Sequence, residues 1–581
     1  MTMLLQKTFV CLLILLSLNL TVTGENFKFA VLGDSQFHNP EVFENMIREV
    51  DLLKPDFVIQ SGDMIHGYTW DEERILLEWD RFRSQIAPLS MPFYPVPGNH
   101  DVTTTPMVEI YREIWGNNKL FHSFDHENSH FVILNTEYRM NHHSVAGEQL
   151  EWLKADLKNN RDAKHIFLFM HSPVWRRNPE NWEILAGVLN RYPNIRGVYA
   201  AYSNENCFEE VDGIPCFIVN SSARMNYYAP AVGYSFQFLY VSVNGDEVTE
   251  AYIPAGTVKP HDYVTRKERD RAEPYLIPAS GGQIPDPADE PLNFIYSFPL
   301  ENRAEDINVY TIRWEIPNPA FTVEPRDQAV FLTPGQVEDI YVRITAPSRD
   351  FASYSLPYAL IETYYNTMKN EAVVLSSRHE LCIPRRARTN FTERSPWIDG
   401  LLDDTAWQWA DVFTDFQINK AGEKAEAQTW VRTLWDQRFF YIGIHCEEPL
   451  PEKLVAHAEG GLPFTWGDDD IEIFIDADHD LDTFARAFVN TRGTTFNTLP
   501  EEGVVPRWYD RAVHVGKDYW SVEMKMPMSV LGVEDQPTSA TQWGFNVRRH
   551  RQKPERIQSD WLKMDNYPYE PWRFGVLEFK P

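Results

Sequence analysis

The stretch Tyr94-Pro95-Val96-Pro97-Gly98-Asn99-His100-Asp101 decides how this chain folds. An apolar strand runs into Pro97 and Gly98, the backbone turns, and an amide, an imidazole and a carboxylate follow side by side. Working outward, two earlier segments end the same way: Phe27 to Asp34 closes in Gly33-Asp34, and Asp56 to Asp63 closes in Gly62-Asp63. A later one, Ile166 to His171, closes in His171-Ser172-Pro173. Four buried strands are therefore expected to carry Asp34, Asp63, Asn99, His100 and His171 to one sheet edge, where open α/β folds bind ligands. Oxygen donors converging with a nitrogen donor suit a divalent metal ion.

This ordered set resembles the calcineurin-like metallophosphoesterase superfamily, over roughly residues 27 to 255. The resemblance implies an α/β sandwich of mixed sheets with outer helices, and hydrolysis of a phosphate mono- or diester with one or two divalent ions (manganese, magnesium, iron or zinc). It implies that Asp63 bridges the ions, that Asp34 holds the first, and that Asn99 and His171 hold the second. It further implies that His100 faces the leaving group as acid or electrostatic stabiliser, with Asp101 orienting its ring.

Two motifs depart from the family. Gly33-Asp34-Ser35-Gln36 puts Gln36 at a histidine position, and matching Ala201 to the glycine of the last motif puts Tyr202 and Asn204 at its two histidines. Gln36 and Asn204 are then weak oxygen donors to the first ion, and Tyr202 is a candidate phenolate for the second. Such a nitrogen-poor set shifts preference towards magnesium, manganese or calcium and lowers affinity for each ion. His66 lies three residues after Asp63, the spacing at which purple acid phosphatases carry a tyrosine ligand. The alternative for His66, as for His38, is a loop histidine at the cleft rim, and His142-His143 read as solvated.

Composition narrows the function classes. A length of 581 residues suggests three or four domains, and 43% hydrophobic with 14% aromatic residues means packed cores rather than disorder. A formal charge of −30 excludes nucleic acid as an expected partner. Residues 1–24 read as a signal peptide: Lys7 precedes an apolar run from Thr8 to Leu20, and Val22-Thr23-Gly24 offers a cleavage point. The mature chain is then secreted or periplasmic with no integral membrane span, an uncleaved anchor being the alternative. Cys207 and Cys216 flank the hairpin signal Val211-Asp212-Gly213-Ile214, so a disulfide and a pair of small buried hydrophobes are both open.

Beyond the phosphoesterase-like region (residues 25–256), residues 257–291 read as an extended Gly- and Pro-rich linker, and residues 292–386 as an immunoglobulin-like β-sandwich acting as a spacer. Residues 390–581 open on Ile398-Asp399-Gly400 and close on Gly544-Phe545-Asn546-Val547-Arg548 and Trp561. They resemble family 9 carbohydrate-binding modules, which implies a second β-sandwich. Trp466, Trp508 and Trp561 are candidate faces for a sugar ring, with Arg548, Arg549 and Asp468 as polar contacts; a core role is the alternative for each tryptophan. Asp468 to Asp470 are candidates for a structural calcium, or solvated carboxylates. The expected protein is an exported metal-dependent phosphoesterase with an appended carbohydrate-binding module. Its substrate is a phosphorylated small molecule or a glycan-linked phosphate. The rival reading is a phosphoesterase fold that has lost turnover and binds glycan.

Overall fold

The computed structural model describes residues 26–116, 120–137, 143–223, 229–254, 257–284, 291–346, 355–418, 422–456, 467–500, 503–505, 508–533, 535–554, 556–564 and 570–581. The expected signal peptide (1–24) lies outside them. The chain divides into two compact units, one running to Gly67 and over Glu72–Asp270, the other comprising Tyr68–Asp71 and Arg271–Pro581.

The first unit holds β1 (Asn26–Leu32), β2 (Phe57–Gln60), β3 (Phe93–Pro95), β4 (His122–His126), β5 (Ser129–Ile133), β6 (His165–Phe169), β7 (Ile195–Ala200), β8 (Cys207–Val211), β9 (Ile214–Ile218), β10 (Gln237–Asn244), β11 (Glu247–Pro254) and β12 (Lys259–Pro260). They form two six-stranded sheets, ordered β12-β11-β10-β1-β2-β3 and β4-β5-β6-β7-β9-β8. β1, β2 and β3 run parallel, as do β5, β6, β7 and β9, while β10 is antiparallel to β1. Parallel strands covered on both faces read as unbroken apolar runs, which is why β2 and β6 are buried at every position. Phe29, Phe57, Phe131, Phe167, Phe169 and Tyr199 fill the layer between the sheets. Helices Pro40–Leu53, Glu72–Ile86 and Thr105–Trp115 cover one outer face, and Gly147–Asn159 and Pro179–Leu189 the other. All strand ends that matter for function leave the carboxyl edge of these parallel runs.

One expectation is corrected in this unit and one open alternative is decided. The stretch read as an extended linker contains the helix Arg266–Ala272, whose Glu268 and Arg269 are buried, and Arg269 pairs with Glu205. Its charged sequence hides an anchor that lies far away in the chain. Cys207 and Cys216 do sit on a hairpin, but Cys207 pairs across it with Ile218 and Cys216 with Glu209, so the thiols are out of register and both are free and buried.

A buried histidine held between two carboxylates gives the unit a pH signature. His130 lies between Asp125 (Nδ1 to Oδ1, 2.7 Å) and Asp156 (Nε2 to Oδ2, 2.8 Å). Burial opposes its charge, but the two carboxylates outweigh burial and raise its pKa above the ordinary histidine value. The triad therefore stabilises the fold fully below the unfolded-state pKa of about 6.5, and the contribution fades as pH rises through the higher folded value. In thermal melts of His130→Gln against wild type, the gap in melting temperature is expected to be largest near pH 6 and to shrink in alkali. A gap that widens with pH would contradict the charged triad.

The second unit begins with a strand, Ser280–Gln283, that pairs in parallel with Ala372–Cys382, so the far end of the expected linker is also built into a sheet. A five-stranded and a three-stranded sheet then enclose the core of Tyr310, Ile312, Trp314, Ile340, Val342 and Ile344. Within Val337–Ala346 burial alternates residue by residue from Ile340 onward, as a strand with one wet face requires. From Arg386 onward a larger β-sandwich packs around Trp520, Trp543, Phe440 and Phe545. Among the described residues no helix is long and apolar enough to cross a membrane.

Candidate functional site

Five loops meet at the carboxyl edge of β1, β2, β3, β6 and β7. Asp34 follows β1, Asp63 follows β2, Asn99 and His100 open the helical turn Asn99–Val102 after β3, His171 follows β6, and Tyr202 follows β7. Close approach is what the glycines provide. A Cβ on Gly62 (φ +92) would stand 2.5 Å from His171 Nδ1, and one on Gly98 would stand 2.3 Å from Asp63 Oδ1. Left-handed backbone at Gln36, Asp63, Tyr202 and Asn204 concentrates strain around the same point.

One ligand atom each from Asp34, Asp63 and His171 lies within 4.8 Å of the others, and all three residues are buried. His171 Nδ1 donates to the Ser61 carbonyl at 2.7 Å, which fixes the tautomer and turns Nε2 towards Asn99 Oδ1 (2.9 Å) and Asp63 Oδ1 (3.3 Å). Burial disfavours a charged His171, yet Asp63 and Asp34 overcome this and hold its pKa well above normal. Asp34 is pushed up to about 7, chiefly by burial, with His171 opposing and Asp63 adding to the shift. Asp63 is held at about 2: burial acts against its charge, and His171 and His100 more than offset it. The raised His171 pKa means that a proton on Nε2 holds the place between these oxygens; a metal ion would displace that proton and take the Nε2 lone pair. Asn204 Oδ1 is also buried and has no hydrogen-bond partner among the described residues. This donor set fits a divalent ion.

Not every expected ligand joins. Gln36 is buried, and its amide nitrogen donates to Asp63 Oδ2, so it braces the carboxylate instead of offering an oxygen. Tyr202 uses its backbone N–H on Asp34 Oδ1 (3.2 Å), and its ring stands edge-on to His171. Burial raises the Tyr202 hydroxyl pKa despite Arg177, which argues against a phenolate. His66 is outside the cluster, its ring against Phe37 and His38. Its carbonyl accepts from His100 Nδ1 at 2.6 Å.

That bond corrects the role given to Asp101. Its carboxylate is wholly buried and accepts from the backbone N–H groups of Asp63 (2.8 Å), Met64 (2.9 Å), Ile65 (3.4 Å) and Gly98 (2.9 Å). Asp101 therefore holds the Asp63 turn, and His66 orients His100. Nearby, Glu137 is buried and accepts from Thr136 and Ser172, while His143 Nδ1 meets Ser172 Oγ at 2.8 Å. This group was not foreseen, because polar loop residues carry no periodicity; His143 belongs to it rather than to solvent.

In the larger sandwich, Trp466 lies outside the described residues. Trp561 is core, and Trp508 is half-buried against that core. Arg548 is closed by a two-point pair with Asp560, and Arg549 by Glu448 and backbone carbonyls. Asp468 bonds Asn490, Asp469 holds the N–H groups of Val455 and Gln552, and Asp470 meets His550, so internal hydrogen bonds occupy the expected calcium residues. The acidic group within metal-binding distance is instead Asp476, Asp478 and Asp480.

The polar face that sequence reading missed belongs to strands Asp470–Asp476, Ala485–Asn490 and Gln542–Arg551. Ile471, Ile473, Ala487, Val489 and Val547 turn to the core, so Glu472, Arg486, Phe488 and Arg548 alternate onto the opposite face. Arg486 pairs with Glu472, whose Oε2 is buried and, among the described residues, has no hydrogen-bond partner, as is the case for Asp470 Oδ2 and Asn497 Oδ1. Alternating acidic, basic and aromatic positions in a strand were the available signal.

Residues 27–206 match the calcineurin-like phosphoesterase family, and residues 398–580 match the carbohydrate family 9 binding domain-like family. The human serine/threonine-protein phosphatase CPPED1 is 28% identical over 162 residues, 25% of this chain and 48% of that protein. The probable glycerophosphodiester phosphodiesterase GpdQ of Arcobacter nitrofigilis is 27% identical over 165 residues, 26% of this chain and 58% of that protein. The chain thus spans about half the length of the curated relatives it matches. A solved carbohydrate-binding module of family 9 from Caldicellulosiruptor kristjanssonii, in complex with cellotriose, is 17% identical with a TM-score of 0.27, covering 34% of this chain and 94% of that one.

Proposed function

We propose, from a chain whose residues 27–206 form a calcineurin-like phosphoesterase domain and whose residues 398–580 form a family 9-like carbohydrate-binding domain, that it is an exported, metal-dependent phosphoesterase. The observation that carries this reading is the buried convergence of Asp34, Asp63 and His171. Asp34, Asp63, Asn99 and His171 would hold a divalent ion, with Asn204 as a further oxygen donor. When bound, such an ion supplies positive charge to the phosphoryl oxygens and lowers the pKa of an attacking water. The chain does the rest. Gln36 and the backbone N–H of His100 (2.9 Å to Asp63 Oδ1) keep the central carboxylate oriented. His100 holds its Nδ1–H on the His66 carbonyl, which leaves Nε2, 4.0 Å from Asp63 Oδ2, as the position from which the imidazolium form would give its second proton to the departing oxygen.

The test is turnover of an aryl phosphate by the full chain with manganese, magnesium, zinc or iron, alongside elemental analysis of the purified protein. Manganese-stimulated turnover and bound metal are expected. No bound metal and no rate under any of these ions would transfer the chain to the rival class, a glycan-binding protein on an inactive phosphoesterase fold. Export rests on the residue 1–24 pattern, and amino-terminal sequencing of protein recovered outside the cytoplasm should begin near Glu25; an intact Met1 end would count against cleavage.

For the larger sandwich the reading is sugar binding on the Glu472–Arg486 face, supported by its unpartnered buried oxygens, which sugar hydroxyls would satisfy. Glu472→Gln keeps the shape and removes the charge. It is expected to weaken binding of a glucose oligosaccharide about tenfold or more in calorimetry, with the melting temperature checked in parallel. Unchanged affinity in a folded variant would remove this face from consideration.

A further inference from the structure

Adjacent arginines after β6 do opposite things. Arg176 turns inward, its guanidinium paired with Glu205 and Glu209. Arg177 is the last residue of the short helix Val174–Arg177, its N–H fixed on the Pro173 carbonyl at 3.0 Å, and its side chain is exposed. Among the described residues no carboxylate pairs with it. Its guanidinium instead lies over the Tyr202 ring, 4.8 Å from the centroid. That ring stands 5.4 Å from the His171 imidazole and 4.9 Å from His143. Tyr202 is anchored from the other side by its N–H on Asp34. A phenol standing where a second imidazole was expected thus serves as a shelf that carries a cation to the mouth of the centre.

The need for that cation follows from charge. The chain is formally −30, so an approaching anion is repelled at long range; the ion that Asp34 and Asp63 would hold attracts it inside the centre, and a cation at the rim is what captures it at the mouth. We infer that Arg177, carried on the Tyr202 ring, is the group that recognises the phosphoryl dianion and sets a preference for phosphate monoesters over diesters. The inference rests on the phosphoesterase reading of the same site. A planar guanidinium takes two phosphate oxygens at once. A monoester keeps three terminal oxygens, enough to face the centre and still offer one to the rim; in a diester one of these is esterified and the charge is single.

Arg177→Ala, Arg177→Lys, Tyr202→Phe and Tyr202→Ala of the full chain, with manganese, are compared on an aryl phosphate monoester and a bis-aryl phosphodiester. Inorganic phosphate affinity is measured by calorimetry. Arg177→Ala is expected to raise the monoester KM so that kcat/KM falls about ten- to a hundredfold, and to lower the monoester-to-diester ratio by about tenfold or more. Arg177→Lys should recover part of the loss, Tyr202→Phe should retain the preference, and Tyr202→Ala should lose it. Equal losses on both esters, or phosphate affinity unchanged in Arg177→Ala, would overturn the assignment. If wild type hydrolyses neither ester, the phosphoesterase reading fails by itself. Arg177 is then judged on phosphate alone: about tenfold weaker binding in Arg177→Ala upholds it, and equal or absent binding in wild type rejects it.

Discussion

Asp63→Asn is expected to lower kcat/KM for an aryl phosphate by at least about a thousandfold while the protein stays folded. Asparagine matches the carboxylate in shape, so the Asp63 turn survives; what goes is the charge. Asp63 meets four parts of the centre: the backbone N–H of His100, the amide of Gln36, the ring of His171 at 3.3 Å and the ring of His100 at 4.0 Å. With its pKa held at about 2, it is an anion at every working pH, and the cage depends on that anion more than on any other. Manganese content should fall with activity, and melting temperature should move little. Excess manganese should not restore the rate, since a neutral amide cannot replace the missing charge. A variant retaining about a tenth of wild-type turnover would show that the reaction does not centre on Asp63.

The order of the strand ends was legible because each couples an apolar run to a Gly-Asp, Gly-Asn-His or His-Ser-Pro turn, and buried parallel strands allow few other readings. Orientation was not legible. Asp101 follows His100 directly, but inside a helical turn neighbouring side chains diverge by about 100°, and the carboxylate faces the Asp63 turn instead of the ring. Trp561 turned inward for a related reason: its ring packs in the core of the sandwich, and the sequence pattern alone does not separate a core tryptophan from one on a binding surface. The helix Arg266–Ala272 escaped because Arg-Lys-Glu-Arg-Asp-Arg-Ala has no apolar stripe, its hold on the unit being the pair between Arg269 and Glu205. Glu137, Ser172 and His143 meet only once β5 and β6 lie side by side.

Asp101→Asn should be nearly as damaging as the loss of Asp63, by a different route. Two carboxylate oxygens accept from four backbone N–H groups, and three of these, on Asp63, Met64 and Ile65, belong to the turn that places Asp63 in its left-handed conformation. Burial and the Asp63 charge push the Asp101 carboxyl up to about 8, and the Gly98 and Met64 N–H groups offset only part of that rise. An asparagine offers one oxygen and turns an NH2 group towards donors it cannot satisfy. A buried N–H left without an acceptor costs about 1–3 kcal/mol, so losing one or two should cost about 2–5 kcal/mol. The first unit is then expected to melt several degrees lower, amide exchange at Met64 and Ile65 to accelerate, and manganese to bind about ten- to a hundredfold more weakly. Asp101→Glu should not rescue, because an added methylene pushes the carboxylate into a turn with no room. If Asp101 oriented His100 instead, the variant would keep its amide protection and manganese affinity and lose only turnover. That separation of readouts decides whether the carboxylate serves the backbone or the imidazole.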